Sequence, residues 1–318
     1  MEFIEQNYNT LVDALPQEVN DLISASVNIA EIFPINQNER FDKQILMADE
    51  FVFQANASLT FANLNYPYII MMAKKWKFTD IANTFSIGFD TKLKGTHGRD
   101  GVSGRAGALG QGEVQRRGND GQAGENGQNA ENGSPMFVPN IYIIGEEFIC
   151  NNVEQDINRL KFVLSFRGVD GGDGGNGGNG GTGGQGADGK EGATSMFGCN
   201  DGAGQGGTGG TGGIGGRGGD AGQGTNGSNI FLIGVGGVPE ILSYSKIYNY
   251  GGRPGRPGRA GRVGNGGRAG NGGGGRGYCS PGPRGEYGIY PTPNDYGDGN
   301  EAIEGEKGLV YKVVLNQI

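Results

Sequence analysis

The chain has 318 residues, 68 of them glycine, with a formal net charge of −8 and a hydrophobic fraction of 35%. Glycine at that level is far above the usual ~7%, so a conventional apolar core is confined to part of the molecule. No apolar run reaches the ~18 residues of a membrane-spanning helix, and the acidic balance works against nucleic acid, so neither membrane insertion nor nucleic-acid binding is expected.

Residues 1–40 begin Met1-Glu2-Phe3-Ile4-Glu5-Gln6, without a basic or apolar leader. No Sec signal is expected, which suits a virion or extracellular surface reached by non-Sec release, or the cytoplasm. Pro16 to Phe33 carries Val19, Leu22, Ile23, Val27, Ile29 and Ala30 roughly on one face. That spacing predicts a short N-terminal helix, serving as a cap or as a docking segment (16–33) for a partner.

A repeat follows. Ile45-Leu46-Met47-Ala48-Asp49-Glu50-Phe51-Val52-Phe53 aligns with Ile70 to Phe78 at an offset of 25, then with Tyr142 to Cys150, then with Phe231 to Val238. Repeated apolar runs with a small residue at the same place predict β-solenoid rungs over 41–94, 140–167, 229–250 and 308–316. Within them, strands are expected at Ser58–Phe61, Phe85–Phe89, Leu160–Phe166, Ile241–Tyr248 and Leu309–Leu315.

Three glycine-rich insertions, 95–139, 168–228 and 251–306, interleave with the rungs. From Gly168 to Gly192 every third residue is glycine, and many triplets hold two. A period of three is that of a polyproline II helix, about 9 Å per turn and without internal hydrogen bonds. Such segments either satisfy their backbones against one another, as a polyglycine II bundle, or remain flexible linkers. A collagen-like trimer is a poorer match, since Gly168 to Gly227 has no proline. The fold class expected is therefore mostly β and irregular: a short parallel β-solenoid with three Gly-rich hairpins packed as a polyglycine II bundle.

Each insertion loses its beat midway, at Gln111–Arg117, Ala193–Asp201 and Gly274–Pro281, which marks hairpin tips. Met196, Phe197, Asn200, Tyr278, Arg276, Arg116 and Arg117 are the candidate ligand-binding residues there. Phe197 and Tyr278 serve either as plugs or as ligand contacts. Cys199 and Cys279, both at tips, are candidates for a disulfide. Arg253, Arg256, Arg259 and Arg262 share one register, as either a solvated rim or an anion-tracking ladder.

Chemistry for an enzyme is not apparent: there is one histidine, His97, and three cysteines without metal-ligand spacing. No catalytic residue, metal or cofactor is expected. Gly168 to Gly222, Gly251 to Gly273 and the interrupted tips resemble the glycine-rich distal tail-fibre adhesins of T-even-like bacteriophages. That resemblance implies a β-helical attachment part, a polyglycine II sandwich and tip loops that bind an outer-membrane receptor. The expectation is a non-enzymatic adhesin for a cell-surface glycan or protein receptor. The alternative is a structural protein that assembles with copies of itself through flat glycine-rich faces, and a weaker third is ice binding through Thr182, Thr208 and Thr211.

Overall fold

The repeated apolar runs become neighbouring parallel strands. The computed structural model describes residues 3–79, 83–114, 116–150, 160–292 and 297–317. Residues 151–159 of the expected 140–167 rung and 293–296 of the 251–306 insertion lie outside them.

In chain order the elements are β1 (Ile4–Tyr8), α1 (Leu11–Ala14), α2 (Gln17–Ala25), β2 (Ala30–Ile35), β3 (Glu39–Phe41), β4 (Ile45–Phe53), β5 (Ser58–Phe61), β6 (Tyr68–Phe78) and β7 (Thr84–Phe89). After these come β8 (Glu113–Val114), β9 (Arg117–Gly118), β10 (Asn140–Cys150), β11 (Lys161–Ser165), β12 (Ala193–Ser195), β13 (Gly198–Asp201), β14 (Ile230–Val235), α3 (Val238–Ser243), β15 (Lys246–Tyr248) and β16 (Val310–Leu315). A seven-stranded sheet has the order β1-β16-β14-β10-β6-β4-β2, and a five-stranded sheet the order β15-β11-β7-β5-β3. Both are parallel throughout.

The repeated sequences are register partners: Ile45 pairs with Ile70, Ile70 with Tyr142, and Tyr142 with Phe231. Their small residue forms a column, Ala48, Ala73, Gly145 and Gly234. The column has a steric purpose at Gly145, where a Cβ would lie 2.9 Å from the Trp76 ring. Trp76, fully buried, donates its Nε1–H to the Ile144 carbonyl at 3.1 Å. Around it Phe53 stacks on Phe78 at 4.7 Å and Trp76 on Phe148 at 5.5 Å.

The expected solenoid is corrected by this arrangement. The architecture is a mostly parallel, α/β-like fold of two sheets with few helices. β1 does not precede β2 in the sheet; it lies at the opposite edge, beside the C-terminal β16. α1 and α2 cover the larger sheet's other face, with Leu11, Leu15 and Val19 against Ile70, Tyr142, Ile144, Ile233, Val313 and Leu315. The sheet is thus buried on both faces, which accounts for its continuous apolar runs such as Ile69-Ile70-Met71.

Two local expectations are also corrected. The helix expected over Pro16–Phe33 stops at Ala25, and the chain re-enters as β2, an edge strand. The strand expected over Ile241–Tyr248 is α3 followed by β15. Pro239 in the first turn is preorganised for helix, and Val238 and Leu242, one turn apart, are both buried.

The glycine-rich segments carry no strand or helix over most of their length. Their backbones are joined by hydrogen bonds repeating every third residue, so that six segments form two rows of three. Gly98 N–H donates to Asp173 O at 2.9 Å, Gly177 to Arg259 at 2.8 Å, Gly178 to Gln128 at 2.9 Å and Gly261 to Gly216 at 2.8 Å. Outgoing segments 95–110, 168–192 and 251–273 form one row, and returning segments 118–134, 202–227 and the described parts of the third (282–292 and 297–308) the other. The middle segments have neighbours on several sides, which explains their doubled glycines. A Cβ at Gly177 would collide with the Gly216 carbonyl, and one at Gly178 with the Val102 carbonyl.

Candidate functional site

The residues left over when the backbones pack this closely are gathered at the end away from the sheets. There β8 and β9 form one antiparallel hairpin and β12 and β13 another. The third loop turns at Arg276–Cys279, where Cys279 N–H donates to Arg276 O at 3.0 Å and Gly277 has a φ of 56°. Gly277 is needed twice, for its positive φ and because a Cβ would lie 3.0 Å from the Thr194 side chain.

Three links tie these loops together. Cys199 and Cys279 form a disulfide, with Cα atoms 4.8 Å apart. Gly192 N–H donates to Gly274 O at 3.0 Å, joining the second and third insertions. Arg116 pairs with Asp201 and donates to the Gly202 carbonyl at 2.6 Å, joining the first and second. Its own carbonyl accepts from Lys190 N–H at 3.0 Å, in a turn where Arg116 itself has a φ of 74°.

The sequence-expected residues therefore divide. Arg116 is occupied as a brace. Arg117 is held by Asp120 at 2.9 Å and Thr208 at 3.1 Å. With Val114, Gly118, Asn119 and Asp120 it lines an open depression of about 270 Å³. Met196, Phe197 and Tyr278 are 83%, 92% and 71% exposed, and Arg276 and Asn200 are exposed beside them. Asp201, the partner of Arg116, was not singled out from sequence. Nothing local marks it, because its partner lies more than eighty residues upstream.

A second feature runs along the flank. Arg253, Arg256, Arg259 and Arg262 project from the third outgoing segment and are exposed. Their carbonyls accept from Gly171, Gly174, Gly177 and Gly180 at 2.8–2.9 Å. Their N–H groups donate to the side chains of Asp170, Asp173, Asn176 and Asn179 at 2.7–3.0 Å. Arg268 belongs to the same register, its carbonyl accepting from Gly186 at 2.9 Å. The period of three would have found it had Asn265 not interrupted the row.

Among the described residues no group of three His, Cys, Asp or Glu side chains is placed to hold a metal ion, and no helix is long and apolar enough to cross a membrane. Comparison with protein-family models, with curated proteins and with solved structures finds no match to this chain.

Proposed function

We propose that this chain is a non-enzymatic binding protein that presents its far-end loops to a cell-surface ligand, either a glycan or a protein receptor. The observation that carries this reading is the exposure of Met196, Phe197 and Tyr278 on loops fixed by the Cys199–Cys279 disulfide. Large apolar side chains left in water are costly and mark contact sites when they cluster. Loops already ordered lose little entropy on binding, so their contacts convert more fully into affinity. Arg276 and Asn200 beside them supply hydrogen bonds for orientation.

The test uses the labelled full chain on a panel of bacterial and animal cells. Binding to at least one surface is expected, abolished in a Met196→Ser, Phe197→Ser, Tyr278→Ser variant whose melting temperature is unchanged. Equal binding by that variant, or no binding anywhere, rejects the reading. Self-assembly is a second reading, favoured by Tyr287, Ile289, Tyr290 and Ile303, each 56–70% exposed on the last returning segment. Light scattering that rises with protein concentration would support it, and a monomer throughout would not.

A further inference from the structure

We propose that Arg253, Arg256, Arg259, Arg262 and Arg268 form a binding strip for a linear acidic polysaccharide bearing about one carboxylate or sulfate per disaccharide. This site is separate from the far-end loops. All five side chains are exposed, and among the described residues none is ion-paired. Elsewhere in and beside the glycine-rich part Arg99 pairs with Glu131, Arg116 with Asp201, Arg117 with Asp120, Arg167 with Asp170 and Arg217 with Asp220. Arg105, Arg276 and Arg284 have no acidic partner among the described residues but stand singly; only the strip places unpaired arginines in one register.

The neighbouring row keeps the strip positive. Asp170 and Asp173 stand beside Arg253 and Arg256; Asp170 is already paired with Arg167 at 3.4 Å, so Asp173 is the one uncompensated carboxylate of that row next to the strip's first half. Further along the register the acids give way to Asn176, Asn179, Thr182 and Gln185. Asn176 and Asn179 still accept the backbone N–H of Arg259 and Arg262, at 3.0 and 2.9 Å. The amide thus preserves the hydrogen bond without the charge that would neutralise the arginine. On the other side of the strip lie Pro254, Pro257, Ala260 and Val263, an apolar row on which the hydrocarbon face of a sugar ring can rest. Asp298 touches that row, its carboxylate accepting Ala260 N–H at 2.8 Å.

Geometry selects the polymer. Hydrogen bonds on both sides hold this segment extended, so its charges follow the three-residue repeat: about 9 Å between successive arginines from Arg253 to Arg262, then a double step of about 18 Å across Asn265 to Arg268, roughly 45 Å in all. The single step is the repeat of an extended disaccharide. With a screening length of about 8 Å at physiological salt, adjacent guanidinium groups barely repel, so the row is tolerated when empty. A single-stranded nucleic acid fits less well, because such sites depend on successive aromatic stacking platforms. The aromatics here are confined to Tyr250 at the strip's start and Tyr287 and Tyr290 on the next segment near its end, with none between Arg253 and Arg262. The chain's net charge of −8 further opposes a densely charged phosphate polymer.

Calorimetric titration of the full chain at low salt, with hyaluronate and κ-carrageenan oligosaccharides of increasing length, tests the proposal. Affinity for at least one series should climb with length and level off once the oligomer spans the strip. An Arg256→Gln, Arg259→Gln, Arg262→Gln variant should bind about tenfold more weakly, with a flatter salt dependence and an unchanged melting temperature. The Met196→Ser, Phe197→Ser, Tyr278→Ser variant should bind the oligosaccharides normally, which separates this site from the loops. Absence of binding to both series, no loss in the arginine variant, or tighter binding of a twenty-residue oligothymidylate would overturn it.

Discussion

Cys199 and Cys279 are joined across 80 residues of sequence, each in the terminal loop of a different glycine-rich insertion. Cys199 is exposed while Cys279 is 6% exposed, so the bond anchors an outer loop to an inner one. Closing a loop of that length removes conformational freedom from the unfolded chain and stabilises by roughly 2–4 kcal/mol. A Cys199→Ser, Cys279→Ser variant should lose stability of that order in denaturant titration. Hydrogen exchange should accelerate first at 193–201 and 275–281, and little in the sheets.

The double glycines of the middle segments should be the least replaceable residues in the chain. A methyl at Gly178 meets the Val102 carbonyl, part of a backbone fixed by its own hydrogen bond from Gln128 at 2.8 Å. Neither side can yield without breaking the lattice, so Gly178→Ala should cost at least about 2–3 kcal/mol by thermal melting. Gln185→Ala, in the same segment at an exposed position, should change stability by less than about 0.5 kcal/mol. Equal costs for the two would contradict the close-packing account.

Gly145 should be sensitive for a different reason. An added methyl would press on the indole ring of Trp76, which is locked by the Ile144 carbonyl. Gly145→Ala is expected to cost about 1–3 kcal/mol and to shift the fluorescence of Trp76, the chain's single tryptophan. An unshifted spectrum would show that the ring moves aside freely.

Alkaline pH should attack the layer between α1–α2 and the seven-stranded sheet. Burial, with smaller contributions from Tyr68 and Glu18, pushes the Tyr142 hydroxyl up from 10.0 to about 12. The neutral phenol is the form the fold accommodates. Its contribution is therefore complete below pH 10 and is lost as pH rises toward 12, up to roughly 2–3 kcal/mol. Tyr142→Phe retains the ring stacked on Phe231 at 4.6 Å and has nothing to ionise. That variant should show a smaller drop in melting temperature between pH 9.5 and 11.5 than the parent chain.

Much of this organisation could be read from local pattern. The alignment of Ile45, Ile70, Tyr142 and Phe231 anticipated strand partners, because parallel neighbours buried alike carry similar side chains in register. The breaks in the glycine beat located the loops, since side chains return where backbones no longer touch. The helix of residues 238–243 overturns the strand expected over Ile241–Tyr248: a short run with Ile241 and Leu242 serves helix or strand equally, and only Pro239 leaned toward the former.

What the sequence determined by itself was spacing: glycine at every third place, apolar residues at matched offsets, arginines in one register. These are short-range properties, imposed by the steric limits of a backbone that must approach its neighbours closely. Only the tertiary structure decided that the strands form two sheets under a helical layer, with Ile4–Tyr8 beside Val310–Leu315. It also decided that Arg116 is consumed by Asp201 while Arg256 and its neighbours have no acidic partner among the described residues. A partner across the chain is chosen by where the packed backbones deliver each side chain, and periodicity along one segment carries no record of that choice.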